Sequence, residues 1–165
     1  MAIALGREAI LAGCSVQFTT AMALLASLAS LAKAHGEKRL DEKLLALSKA
    51  KLLIVDELGY LPLEPDAAHL FFQLVSRRYE TGAMLITPTR SLAEWSTVFA
   101  DPVVATAILD RLLHHSHVLT IRGDSYRLRA KRKSGLIKAP PVDRDHEPSV
   151  GQFFMTQKRA VPDGV

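Results

Sequence analysis

The sequence predicts an α/β sandwich with a mostly parallel sheet. Two short apolar runs without alternation, KLLIV (51–55) and AMLIT (83–87), read as strands buried on both faces. Stretches of helical periodicity alternate with them along the chain. The chain has 165 residues, 48% of them hydrophobic, which suits one domain with a real core.

Taken in order, MAIALGREAILAG (1–13) is a helical run with apolar residues at Ile3, Leu5, Ala9, Ile10 and Leu11. No Ser, Thr, Asp or Asn precedes it as a cap, so it reads as an element entered in its middle. Gly13 fits the position just past a helix end. SVQFTT (15–20) alternates like a short strand, and Thr20 is a natural cap for the next helix. Residues 21–34 place Leu24, Leu25, Leu28 and Leu31 on one helical stripe, and EKRLDEKLLALSKA (37–50) reads as a second, charged amphipathic helix.

After the 51–55 strand comes a loop, LGYLPLEP (58–65), with Gly59, Pro62 and Pro65. Residues 66–80 form a helix with Ala67, Leu70, Phe71, Leu74, Val75 and Tyr79 facing inward, stopped by Gly82. The 83–87 strand comes next. Asp101 is a fitting N-cap and Pro102 a fitting first residue for a helix over 101–115. HVLTI (117–121) is a strand, and SYRLR (125–129) is a candidate to pair beside it. From Ala139 the composition turns Pro-rich and charged. The expected division is a folded core over 1–138 and a mobile tail over 139–165.

The net charge of +4 permits a nucleic-acid partner without demanding one. Cys14 is the sole cysteine, so an intramolecular disulfide is excluded and a small buried hydrophobe is the expected role. AMALLASLASLAKA (21–34) resembles the apolar part of a signal peptide, but the stretch before it is too long and Arg7 and Glu8 cancel. Its apolar run also falls short of the ~20 residues of a membrane span. The expectation is a cytoplasmic protein with no membrane partner.

The chemistry concentrates in KLLIVDE (51–57), an apolar strand ending in two acids. Ligands of open α/β sheets bind outside the carboxyl ends of strands. A buried strand would hold Asp56 rigidly enough to orient a hydrated Mg²⁺. Glu57, pointing elsewhere, could polarise a water for attack on a γ-phosphate. This is the Walker B pattern; the bland alternative is a strand ending in solvated or helix-capping acids. The phosphate-cradling partner motif, G-x-x-x-x-G-K-[ST], does not occur, and neither does G-x-G-x-x-G.

The runs GYLPL, LFFQLVSRRYE, FADPV, AILDRLLHH and RGDSYRL lie within DELGYLPLEPDAAHLFFQLVSRRYETGAMLIT and EWSTVFADPVVATAILDRLLHHSHVLTIRGDSYRLRAKRKSGL. Together they resemble the IstB-like ATP-binding proteins, helper ATPases of bacterial insertion sequences related to the DnaA and DnaC branch of the AAA+ superfamily. The resemblance covers about residues 2–137. It implies a three-layer αβα P-loop NTPase core that lacks the first strand and the phosphate loop. In that family fold the lacking strand lies between the strands at 83–87 and 117–121. Its loss is expected to leave exposed edges or to force those two strands together, with marginal stability. MAIALGREAILAG then resembles the helix that comes directly after the phosphate loop, its N-terminus aimed at the phosphates.

By the same resemblance, Asp56 is the acid that helps hold Mg²⁺ and Glu57 is the hydrolytic base. The sensor 1 position, usually an asparagine in LTSN, falls on Thr89 of LITPTR, which is shorter and offers fewer donors. Arg111 resembles an arginine finger offered across a subunit interface, a role suited to a planar, permanently charged group. The bland alternative is a surface arginine paired with a nearby acid. The basic residues Arg122, Arg127, Arg129, Lys131, Arg132 and Lys133 stand against Asp124 alone and could contact DNA phosphates or simply form a solvated end. HHSH (114–117) lacks an i, i+4 ligand pair and is not expected to bind metal. LFFQL (70–74) and Trp95 are expected in core and interface packing.

The implied function is an ATP-binding helper of insertion-sequence DNA transposition. Its implied cofactors are ATP and Mg²⁺, and its implied partners double-stranded DNA, a cognate transposase and further copies of itself. The missing phosphate loop keeps two alternatives open: a catalytically dead remnant acting at most as a DNA- or partner-binding module, or a relative of DnaC-like helicase loaders.

Overall fold

The computed structural model describes residues 1–91, 94–99, 101–114, 116–122 and 150–156, with the backbone alone for 35, 36, 122 and 150–156. The elements are α1 (Ala2–Leu11), β1 (Val16–Thr20), α2 (Ala21–Lys49), β2 (Leu52–Leu58), α3 (Pro65–Arg78), β3 (Ala83–Pro88), α4 (Trp95–Val98), α5 (Pro102–His114), β4 (Ser116–Arg122) and β5 (Val150–Thr156). They form one sheet in the order β1-β2-β3-β5-β4. β1, β2 and β3 run parallel, while β5 runs antiparallel to both β3 and β4.

The side-chain period of two divides the buried strand residues between two faces. Leu53, Val55, Met84 and Ile86 point to the larger core, shared with Leu24, Leu28, Leu44 and Leu47 of α2, Phe71 and Leu74 of α3, and Ile108 and Leu112 of α5. Leu52, Ile54 and Leu85 point the other way, against Ala2 and the half-buried Leu5 and Ala9 of α1. The result is the three-layer αβα arrangement expected of a P-loop NTPase-like core.

Local signals set most boundaries as expected. Gly13 adopts φ 78° after α1, a conformation that costs glycine little. The Thr20 hydroxyl accepts from Ala23 N–H at 3.3 Å at the start of α2. Asp101 Oδ1 accepts from Val103 and Val104 N–H at 2.8 and 3.3 Å and caps α5. Pro65, expected in the loop, is instead the first residue of α3, where its missing N–H goes unmissed.

Two expectations about whole elements fail. The helices expected at 21–34 and 37–50 are one helix of 29 residues that passes through Gly36. A glycine inside a helix costs only about 1 kcal/mol. That cost is outweighed because both halves bury leucines, Leu24, Leu25 and Leu28 on one side and Leu40, Leu44 and Leu47 on the other. Second, 139–165 is not wholly a tail. Val150–Thr156 forms β5, seated between β3 and β4 and paired to β4 from Ser116↔Thr156 to Arg122↔Val150. β3 and β4 are therefore neither left with bare facing edges nor forced together. The cause of the miss is compositional: VGQFFMT is a plausible strand, but it is embedded in Pro-rich, charged sequence. The possible strand at 125–129 lies outside the described residues.

Candidate active site at the carboxyl edge of the sheet

β2 lies between β1 and β3, so Leu52–Val55 are buried on both sides. At its carboxyl end the regular ladder breaks. Val55 pairs with Ile86 and Leu58 with Pro88, so Asp56 and Glu57 stand opposite the single residue Thr87. Such a bulge re-aims side chains and terminates pairing. Here Glu57 takes φ 60°, a left-handed conformation that costs a residue with a Cβ roughly 1–2 kcal/mol. Asp56 is left half-buried and Glu57 exposed.

Thr87 ties the bulge together. Its hydroxyl oxygen accepts from the N–H of Glu57 at 3.0 Å, and its O–H donates to Oδ1 of Asp56. Neighbouring groups hold the loops in place. Thr89 N–H and its hydroxyl donate to Leu58 O at 2.9 and 3.3 Å. Arg90 Nε donates to Gly59 O at 3.2 Å, and Arg90 also pairs with Glu94 at 3.5 Å. The Glu94 carboxylate accepts from the hydroxyl and the N–H of Ser91 at 2.8 and 3.0 Å. These bonds, the hydroxyl first, hold its pKa below the ordinary carboxylate value.

Asp56 and Glu57 are thus adjacent, at one strand end, and differently aimed. Thr89 makes its hydrogen bonds to Leu58 O rather than to either carboxylate, and the hydroxyl beside the acids belongs to Thr87. Sequence reasoning misses Thr87; the signal open to it is a hydroxyl ending an apolar strand that neighbours an acid-ended one. The Asp56 carboxylate, held at Oδ1 by Thr87, is an oxygen ligand that suits a hard cation such as Mg²⁺, which keeps several waters and takes one or two carboxylates. Among the described residues no group of three or more His, Cys, Asp or Glu forms a protein-only cage.

Arg111 lies elsewhere. Ser116 and Met84 both pair with Thr156, and Met84 is level with Leu53, so β4 starts at the amino edge of the sheet. α5 delivers its last turn, with Arg111, to that edge. Asp56 is at least three residues, about 10 Å, along the strand direction from it. The Arg111 guanidinium lies over the Phe72 ring, 4.6 Å from its centroid, and donates to Ala107 O at 3.1 Å. His114 stacks on Tyr79, and its Nδ1 is 2.5 Å from the Tyr79 hydroxyl. Phe71 and Trp95 are core residues, each packed against Phe99. Cys14 is half-buried.

The backbone of Arg122 ends β4 on the same sheet edge as Asp56, three strand positions across. At ~4.8 Å per strand that is about 14 Å. Arg127, Arg129, Lys131, Arg132 and Lys133 lie outside the described residues.

The acid pair at the carboxyl ends of three parallel strands stands where ligands of open α/β sheets bind, and the comparison with known sequences decides the family. The IstB-like ATP binding protein family matches residues 1–134. The chain belongs to the IstB-like family. Its similar relatives include an insertion sequence IS21 protein of Pseudomonas aeruginosa, 47% identical over 154 residues, covering 92% of this chain and 57% of the relative. An IS5376 protein of Geobacillus stearothermophilus is 46% identical over 132 residues, covering 80% of this chain and 51% of the relative. An IS232 protein of Bacillus thuringiensis is 48% identical over 102 residues, covering 62% and 41%. Each is named as a putative ATP-binding protein of its insertion sequence. This IstB-like chain spans about half the length of those relatives. Among its described residues no helix is long and apolar enough to cross a membrane.

Proposed function

We propose that this chain is the Mg·ATP-handling part of a helper protein of insertion-sequence DNA transposition. The observation that carries this reading is the bulge that sets Asp56 and Glu57 against Thr87 at the carboxyl edge of β2. In this role Asp56 contributes its free carboxylate oxygen to a hydrated Mg²⁺, and Glu57 accepts a proton from the attacking water. Mg²⁺, when bound, neutralises charge on the phosphate oxygens. The names of the relatives support ATP as the nucleotide.

Arg111 fits a finger that acts on a neighbouring copy, because within one chain it stands at the edge opposite Asp56. Working ATP hydrolysis then requires an oligomer. The basic run that starts at Arg122, on the same edge as the acids, suits phosphate contacts to double-stranded DNA. A transposase is the partner implied by the insertion-sequence context. A second reading, a DNA- or partner-binding module without hydrolysis, is favoured by one observation: the basic run from Arg122 to Lys133, which suits phosphate contacts without any nucleotide chemistry. Turnover of Mg·ATP by the wild-type chain and by Glu57→Gln separates the two. The nucleotide reading expects turnover that Glu57→Gln abolishes while DNA-bound protein accumulates with ATP. Equal phosphate release by both proteins removes Glu57 from the reaction, and none by either favours the second reading.

A further inference from the structure

Building on that nucleotide reading, we propose that Thr87 is the positioning residue that makes Asp56 and Glu57 a single unit. The bulge puts two β2 residues opposite one β3 residue, so a single β3 side chain must serve both. A hydroxyl is the smallest group that can do so, since it donates one proton and accepts at its lone pairs. Thr87 directs the proton to Asp56 Oδ1 and accepts the N–H of Glu57 at 3.0 Å. Donation to Oδ1 fixes the plane of the carboxylate and leaves Oδ2 for a ligand. Acceptance from Glu57 N–H gives a partner to a backbone group that the broken ladder would otherwise leave unpaired.

That second bond has a further consequence. Glu57 holds φ 60° without the freedom of a glycine, and such a conformation persists only where the surroundings determine it. The bond to Thr87 supplies that determination, so it also sets the direction in which the Glu57 carboxylate leaves the backbone. Thr89, two residues on, hydrogen-bonds Leu58 O and does not share this task. The polar side chain that binds both acidic residues is therefore on β3, not in the loop after it.

Thr87→Val keeps the shape of the side chain and removes both hydrogen bonds, whereas Thr87→Ser keeps the hydroxyl. Amide hydrogen exchange of the whole chain, without nucleotide, reads the bond to Glu57 directly. The Glu57 amide should exchange about tenfold faster in Thr87→Val and within about twofold of wild type in Thr87→Ser, with Val55 unchanged in both. Unchanged Glu57 protection in Thr87→Val overturns the proposal. A Val55 amide that loosens equally in Thr87→Val also overturns it, since Thr87 would then be general sheet packing. Steady-state Mg·ATP hydrolysis adds a second readout: kcat falls about tenfold in Thr87→Val with KM within about twofold, and Thr87→Ser restores it. Wild-type kcat in Thr87→Val overturns the proposal. A wild-type chain that neither binds nor turns over Mg·ATP overturns the nucleotide reading instead, and the Glu57 amide still decides the role of Thr87.

Discussion

The guanidinium of Arg111 lies over the ring of Phe72, at the end of the sheet opposite Asp56. This contact clamps α5 to α3 and aims Arg111 away from its own chain's acids. Any catalytic use of Arg111 must then be on a neighbour.

A mixing experiment tests this. Arg111→Ala keeps its own acids, and Glu57→Gln keeps its arginine. Each alone should be inactive in ATP hydrolysis. Mixed in equal amounts they should recover activity, because an intact Glu57 then meets an intact Arg111 across an interface. A mixture no more active than its parts contradicts a finger in trans.

Arg78 is buried to 1% exposure and holds three carbonyls: Leu47 O at 2.6 Å, Ala50 O at 3.0 Å and Ala83 O at 2.6 Å. It fastens the end of α2 and the turn into β2 to the start of β3. A Cβ at Gly82 would come within 2.7 Å of its Nη2, and that end is pinned by its bonds. Arg78→Met should cost about 3 kcal/mol or more, since buried acceptors lose their donors. Gly82→Ala should cost about 1–3 kcal/mol through overpacking. Urea melts measure both; a Gly82→Ala midpoint equal to wild type would show that the guanidinium is free to move.

Much of this is legible in sequence, and the exceptions have physical reasons. Caps at Thr20 and Asp101, the turn at Gly13 and the buried runs of β2 and β3 are local signals, and local chemistry decides them. The fused α2 is not legible, because tertiary burial of Leu40 and Leu44 decides whether a helix crosses Gly36. β5 is not legible either, because its partners lie far off in sequence. Asp56 and Glu57 can be named from their strand. The part played by Thr87 depends on a register slip between two strands, and no single-strand pattern carries that information. Arg78 stays hidden because an arginine at an inward helical position reads as solvated until its acceptors are known.

Glu94 carries a pH dependence. Its carboxyl pKa is lowered from 4.5 by the Ser91 bonds, so the ionised form stabilises the fold. This contribution is present above pH 4.5 and is lost as pH falls through the lower, folded-state value. The Ser91 amide resonance should shift over that acidic window in wild type and stay flat in Glu94→Gln. A Ser91 shift that persists in Glu94→Gln contradicts the assignment.

Asp56, held by Thr87, should form part of a Mg·ATP site, and everything proposed for catalysis depends on it. Isothermal titration of the chain with ATP and Mg²⁺ tests this most directly, run beside Asp56→Ala and beside ATP with Mg²⁺ chelated. The expected result is micromolar, Mg²⁺-dependent binding that weakens at least about tenfold in Asp56→Ala. Absence of binding, or binding equal in both proteins with and without Mg²⁺, contradicts it.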